Sequence, residues 1–289
     1  MQSNNPVFRR SEEFNRANSY GNQTYQGNGA SYQGYGTPQQ QYAGYAPAPP
    51  TTGTGRMTID TVVQSTAITF GITVVLAAIT WFVTPDVNED PAAAIPALSA
   101  AMLIGSGAAF VLSLVNSFKR VVSPALVMLF AAAEGVALGA ISKFYDAAFG
   151  SDSSSYGGIV VQAVVGTFAA FAGTLAAYKF FDIKVGQKFR TFVIAAMFGM
   201  IALSLLEVVL GLFGSGFGLF GFGAMGLLFS VAGLVLGVFM LILDFDFVEQ
   251  GIRNGLPARE SWRASFGLLV SLVWIYTNLL RILAILQDN

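Results

Sequence analysis

Residues 221–246 read GFGAMGLLFSVAGLVLGVFMLILDFD, an apolar run without a charged residue before Asp244. A helix needs about 20 apolar residues to cross the hydrocarbon core of a bilayer, so this stretch is long enough to span a membrane. Six other apolar runs predict helices over 61–84, 93–116, 124–147, 158–180, 190–213 and 264–286. The sequence therefore predicts an all-α, polytopic membrane protein built as a bundle of seven transmembrane helices.

Composition agrees with the bilayer as solvent and excludes several kinds of chemistry. The 289 residues are 54% hydrophobic and 11% charged, whereas about 25% charge is typical of soluble domains. A formal net charge of -1 argues against nucleic acid as a partner. The absence of Cys and His removes thiol nucleophiles and His-dependent dyads. We therefore expect no enzymatic activity and no cofactor.

Polar residues dominate the N-terminal part of the chain. Residues 1–57 are rich in Tyr, Gly, Gln and Pro, a composition that cannot bury enough apolar surface to fold alone. We predict a disordered cytoplasmic tail over 1–57 and a seven-helix transmembrane domain over 58–289.

The distribution of Lys and Arg predicts the orientation of the bundle. With the N-terminus in the cytoplasm, all basic residues except Lys143 and Arg281 lie in the tail, the cytoplasmic loops or the adjoining helix ends, as the positive-inside rule requires. Seven spans then place the C-terminus outside. We expect an integral multi-pass protein of a bacterial cell membrane, with the lipid bilayer as its main partner.

Few ionisable residues fall inside the predicted helices, and each needs a physical reason because a charge at the bilayer centre costs about 2.5–3.5 kcal/mol on insertion scales. Glu134 should face the interior of the bundle, either paired or protonated, or serve as a neutral structural residue. Glu207 and Arg281 have matching depths near the outer face. They are predicted to form one ion pair, acting either as a gate or as a permanent structural contact. Lys143 and Asp146 lie close enough to the outer end to reach water.

Asp244 and Asp246 end the sixth predicted helix. Successive helical residues turn by about 100°, so these two side chains point to nearly opposite sides. We expect only one of them to face the core, where it could bind a cation or a proton, and the other to be solvated on the cytoplasmic side.

Glycines suggest two further features. Gly135 with Gly139, and Gly233 with Gly237, are small-residue pairs that permit close helix packing, either inside the bundle or in a dimer. The Gly-rich run over 211–223 joins two apolar helices. It is predicted to lie at the membrane surface or to fold back over the bundle.

Short motifs give the chain a family resemblance. The sequence Ile-Leu-Asp over 242–244 and the segment WIYTNLLRIL over 274–283, in the context of seven helices, resemble the Bax inhibitor-1 family. The segments SNNPVF over 3–8 and VNSFKR over 115–120 are similar to those of bacterial, actinobacterial members. The resemblance spans about residues 57–286, plus the short N-terminal motif.

This resemblance implies a pH-sensitive calcium leak controlled by two Asp residues on helices six and seven. Asp244 matches the first of them, whereas Ser271 stands where the second is expected, so a carboxylate pair sharing a proton is absent there. The family also pairs the helix-seven Arg with a Glu on helix two. Helix two has no acid here, so Glu207 or Glu134 would have to replace it as the partner of Arg281.

Two functions remain open from the sequence. In the first, calcium ions and protons use Asp244 as a weak metal site on a hydrated path, because tight calcium sites need about 6–8 oxygen ligands. Lys119 and Arg120 are then possible competing partners of Asp244 at the inner end. In the second, the protein is a non-transporting regulator that binds a membrane protease or another quality-control protein.

Overall fold

The computed structural model describes residues 55–150, 158–181 and 183–288. These residues form seven helices and no strand, and each helix is long and apolar enough to cross a membrane. The helices are α1 Ile59–Val83, α2 Pro91–Phe118, α3 Pro124–Phe149, α4 Ile159–Phe180, α5 Gln187–Leu212, α6 Ala224–Arg253 and α7 Glu260–Asp288. The predicted fold class is confirmed, and the chain is an integral multi-pass membrane protein.

Local sequence signals explain where several helices begin. Thr58 caps α1, since its hydroxyl accepts a hydrogen bond from the N–H of Thr61 at 3.2 Å. Asp90 caps α2 in the same manner through the N–H of Ala93. Pro occupies the first position of α2 and of α3, where its missing N–H has no helical partner to lose.

Helix α6 extends beyond its predicted end at residue 246 and continues to Arg253. The charged residues do not end the helix because they are satisfied along it: Gln250 donates to Asp246 at 2.7 Å, and Arg253 pairs with Glu249 one turn earlier. Gly255 follows with φ of 64°, a left-handed conformation that Gly adopts at helix ends. The turn over 254–259 then leads into α7.

Both predicted glycine pairs lie in internal helix contacts. A Cβ on Gly135 or Gly139 would collide with the backbone of α1, and a Cβ on Gly233 or Gly237 would collide with side chains of α7. Close approach of α3 to α1 and of α6 to α7 therefore depends on these four residues.

The helices differ in how they contribute to the bundle. The centre consists of α1, α3, α6 and α7, and α7 supplies buried side chains to three separate apolar clusters. Helix α4 packs against α7 and α6, whereas α2 packs against α3 and α5 mainly against α6. The last two helices are thus peripheral.

The segment immediately before α1 is attached to the α6–α7 turn. The N–H of Met57 donates to the carbonyl of Leu256 at 2.6 Å, and the N–H of Ala258 donates to that of Gly55 at 2.6 Å. The Met57 side chain is 1% exposed and packs against Gly251. Of the predicted disordered tail, residues 1–54 lie outside the described residues, whereas 55–57 belong to the folded bundle.

Candidate functional site

Asp244 lies at the interface of α6 with α7. The Ser271 hydroxyl donates to Asp244 Oδ2 at 2.5 Å, and Ser271 is 1% exposed. Gly267, one turn earlier on α7, makes room for the carboxylate, since a Cβ there would lie 2.8 Å from Asp244 Oδ1. The predicted pair of positions 244 and 271 is thus in direct contact.

No basic side chain forms a salt bridge with Asp244 in the part of the chain that the structure describes. Lys119 and Arg120, proposed from the sequence as its partners, are exposed at the end of α2. The carbonyl of Arg120 accepts a hydrogen bond from Arg263 at 2.9 Å, and neither basic side chain contacts Asp244. The predicted inner-end partnership is therefore not formed.

Asp246 has a different environment on the opposite side of α6. It forms a salt bridge with Arg190 of α5 at 2.8 Å and accepts a hydrogen bond from Gln250. Asp246 is 7% exposed, so the prediction that one of the two Asp residues would be solvated is wrong. Both face protein, because α6 lies between α5 and α7, but only Asp246 has its charge compensated.

Glu207 of α5 is buried and is satisfied by backbone donors. Its Oε1 accepts from the N–H groups of Gly218 and Leu219 at 2.9 and 3.0 Å, and its Oε2 accepts from that of Phe217 at 2.9 Å. Consecutive N–H groups that converge on one carboxylate form an anion-binding concavity. Gly218 has φ of 76° within this turn, which a residue with a side chain rarely adopts.

Arg281 of α7 holds the same loop from the other side. Its guanidinium donates to the carbonyls of Leu219 and Gly221, the second at 2.9 Å, and lies 5.8 Å from the ring centre of Phe220. The loop over 213–223 is therefore folded back between the two charges, one of the two placements predicted for the Gly-rich run.

The predicted direct ion pair of Glu207 with Arg281 is not formed, although both residues lie at the same end of the bundle. The backbone of Leu219 connects them, since its N–H donates to Glu207 and its carbonyl accepts from Arg281. The loop backbone satisfies both charges and replaces the predicted contact.

Glu134 occupies the middle of α3 and is partly buried. Phe130 and Leu138, one turn before and after it, lie on the same helix face. Phe130 stacks on Phe266 of α7 at 4.9 Å, and Leu138 packs in a cluster with Tyr276. Glu134 therefore points towards α7, inside the bundle. It makes no hydrogen bond or ion pair with a described residue.

Lys143 is buried, contrary to the prediction that it reaches water. Its Nζ donates to the carbonyls of Trp81 and Thr84 at 2.8 and 2.5 Å. These carbonyls belong to the C-terminal end of α1, where a cation is favourable. Asp146, one turn further along α3, is only partly buried.

Sequence reasoning missed a row of hydroxyl groups on α1. Ser65, Thr69, Thr73 and Thr80 are all buried and recur at helical spacing. Thr73 donates to the carbonyl of Ala131 on α3, and Ser65 donates to that of Ser261 on α7, each at 3.0 Å. These hydroxyls give the interior of the bundle a polar face beside α3 and α7. The described residues hold no cluster of three or more acidic side chains that could bind a metal ion.

These features define a class of protein: a seven-helix membrane bundle with one uncompensated carboxylate between α6 and α7 and a loop held by two charges at the opposite end. The sequence model of the family described as Bax inhibitor 1 like matches residues 5–288. The chain belongs to the Bax inhibitor-1 family, as its short motifs predicted. No curated protein matches the chain.

Proposed function

We propose that the protein is a pH-sensitive, calcium-permeable leak in a bacterial cell membrane. The observation that carries this proposal is the environment of Asp244, which has a hydroxyl partner in Ser271 and no basic partner among the described residues. A carboxylate withdrawn from water is destabilised as an anion unless a cation compensates it. Asp244 thus binds either a proton or a metal cation, and the two compete.

Calcium is held weakly in this proposal. A tight site requires about 6–8 oxygen ligands, and Asp244 and Ser271 supply only a few. The cation therefore keeps much of its water. The hydroxyls of α1 supply additional oxygen atoms inside the bundle, and Glu134 is a second acidic group that faces α7.

Closure of the leak is assigned to the loop over 213–223. Glu207 and Arg281 hold this loop through its backbone, and Leu219 is 7% exposed beneath it. Loss of either charge would release the loop and open that end of the bundle. In the orientation with a cytoplasmic N-terminus, this end is outside and Asp244 lies towards the cytoplasm.

Calcium entry into dye-loaded liposomes that contain the purified protein tests the proposal. Flux should fall as the medium is acidified through neutrality, because protonation removes the charge of Asp244. Asp244→Asn should keep flux at the acid level at every pH, since it mimics the protonated group. Asp60→Asn, the same change at an exposed position in the first turn of α1, is the control.

Two outcomes would contradict the proposal. Flux no greater than that of empty liposomes would remove the leak itself. Flux in Asp244→Asn with the pH dependence of the unsubstituted protein would remove Asp244 as the ion site.

The second candidate function is a regulator that binds a membrane protease or another quality-control protein. The contact of residues 55–57 with the α6–α7 turn favours it, since a partner bound to the N-terminal segment would act close to α6 and α7. Specific co-purification of a membrane protein with the full chain, lost on deletion of residues 1–54, would support it. Neither proposal assigns an enzymatic activity.

A further inference from the structure

Two cavities lie between α1 and α4. The larger, here called the Lys179 cavity, has a volume of about 830 Å³ and is lined mainly by apolar residues of α1, α4 and α6. Val63, Phe168 and Leu175 on its walls are exposed, so the cavity opens towards lipid. Ligand sites in proteins commonly have volumes of about 300–1,000 Å³ and mostly apolar linings with a few polar groups.

The length of the Lys179 cavity matches one leaflet of a bilayer. Phe70 of α1 and Phe168 of α4 form an edge-to-face pair at 5.3 Å, and both line the far end of the cavity. Eleven residues of α4 separate Phe168 from Lys179, which corresponds to about 16 Å at the helical rise. This is about half of the 30 Å hydrocarbon core. The ring pair thus ends the cavity near mid-membrane.

Charged groups line the opposite end of this cavity. Glu249 accepts a hydrogen bond from Tyr178 and pairs with Arg253. Lys179 forms no salt bridge with a described residue, so the two bases exceed the one acid among the lining residues. Basic pockets between transmembrane helices bind anionic lipid headgroups.

We propose that the Lys179 cavity binds an anionic phospholipid from the leaflet at that end of the bundle. One acyl chain lies along α1 and α4 as far as Phe70 and Phe168, and the headgroup phosphate contacts Lys179. In the proposed orientation this is the cytoplasmic leaflet. The site does not depend on ion conduction.

The second cavity, of about 500 Å³, lies beyond the same ring pair and shows why the charge matters. It is also mainly apolar, but its lining includes the carboxylate of Asp146 and no base. Lys143 nearby is already bound to two carbonyls of α1. A carboxylate repels an anionic headgroup, so the proposal assigns the anionic lipid to the Lys179 cavity alone.

Native mass spectrometry of the full-length protein tests the headgroup preference. The purified protein is equilibrated with equal amounts of phosphatidylglycerol and phosphatidylcholine, and the retained molecules of each are counted. Lys179→Gln should reduce the preference for phosphatidylglycerol about fivefold, the factor that corresponds to about 1 kcal/mol per basic residue near an anionic surface. Lys188→Gln, the same change at an exposed position on α5, is the control. Equal preference in the two variants would overturn the proposal.

A second variant tests occupancy of the cavity. Ala67 lines it, and Ala67→Phe should reduce the number of retained lipids of both kinds by filling the space for the chain. Ala108→Phe on α2, also exposed but outside the cavity, is the control. If Ala67→Phe retains as many lipids as Ala108→Phe, the chain does not occupy the cavity. Because binding is measured without a calcium gradient, failure of the leak leaves this result unaffected.

Discussion

Asp244 and Asp246 are two residues apart on α6, yet their neighbours give them different chemistry. Arg190 and Gln250 compensate the carboxylate of Asp246, whereas Asp244 has only the Ser271 hydroxyl. A hydroxyl can donate to a carboxylate but cannot neutralise it. The capacity to exchange a proton for a metal cation is thus confined to one of the two side chains.

Gly267 should control the position of Asp244. A Cβ in Gly267→Ala would lie 2.8 Å from Asp244 Oδ1, so the carboxylate must move away from Ser271. We expect calcium flux to lose its pH dependence, at a cost of about 1–3 kcal/mol in stability, measured by liposome flux and thermal unfolding. Gly173→Ala, where a Cβ would meet nothing within 4 Å, should change neither. Unaltered pH dependence in the folded Gly267→Ala protein would contradict this role.

Ser271→Asp should restore a pair of carboxylates. The Ser271 hydroxyl lies 2.5 Å from Asp244, and two carboxylates at such a separation cannot both ionise freely, so one retains a proton at higher pH. We expect the acid inhibition of flux to shift to higher pH than in the unsubstituted protein. Ser271→Asn has a similar size without the charge and should not produce the shift. Identical pH profiles for the Asp and Asn variants would exclude coupling between the two positions.

Sequence reasoning identified Asp244 and Ser271 because they match positions in a family pattern, but it missed two neighbours. Gly267 precedes Ser271 by four residues and extends the face already identified on α7, so its position was readable. Arg190 was taken only as a cytoplasmic base. Its pairing with Asp246 depends on the adjacency of α5 and α6, which periodicity within one helix does not reveal.

Among the connecting elements, the loop over 213–223 is held by charge at both ends of a short backbone segment. Glu207→Gln should weaken its three N–H contacts, because hydrogen bonds to charged groups contribute about 1.5–3 kcal/mol and neutral ones about 0.5–1.5. We expect the amides of Phe217, Gly218 and Leu219 to exchange hydrogen about tenfold faster in mass-spectrometric measurements. Glu89→Gln in the exposed α1–α2 connection is the control. Unchanged protection of these amides would show that Glu207 does not hold the loop.

The outcome at this loop shows what helix positions alone can predict. Equal depth correctly placed Glu207 and Arg281 at one end of the bundle. Their direct pairing was wrong because the backbone of Leu219 lies between them, and such a path depends on the left-handed conformations of Gly214 and Gly218. The end of α6 was placed too early for a related reason: charges were taken as the membrane boundary, although the helix continues through them to Arg253.

For the whole molecule, orientation is the property that chain composition predicts and that labelling measures directly. The chain has no Cys, so single Cys residues can be introduced without removing any. Gln287→Cys near the C-terminus should react with an impermeant maleimide in intact cells, and Lys188→Cys at the start of α5 should react only after the membrane is opened. The reverse pattern would contradict the proposed cytoplasmic N-terminus.

The number and approximate extent of the spans follow from hydropathy because a bilayer imposes a minimum length on any helix that crosses it. Helix adjacency does not follow in this way. Gly135 and Gly233 announced close contacts, but only the folded bundle shows that α1 and α7 are their respective partners. Hydrophobicity does not select partners in lipid, where acyl chains are as apolar as Leu.

Helix α5 shows a consequence of this lack of selection. Its apolar contact is limited mainly to Val193 against Leu236 and Met240 of α6, and lipid can replace that contact at little net cost. Polar contacts made by Arg190 and Glu207, about 25 Å apart along the helix, hold its two ends to the bundle. We therefore expect detachment of α5 into the surrounding lipid to depend on ionic strength and acidity at the two membrane surfaces more than on the apolarity of its packed face.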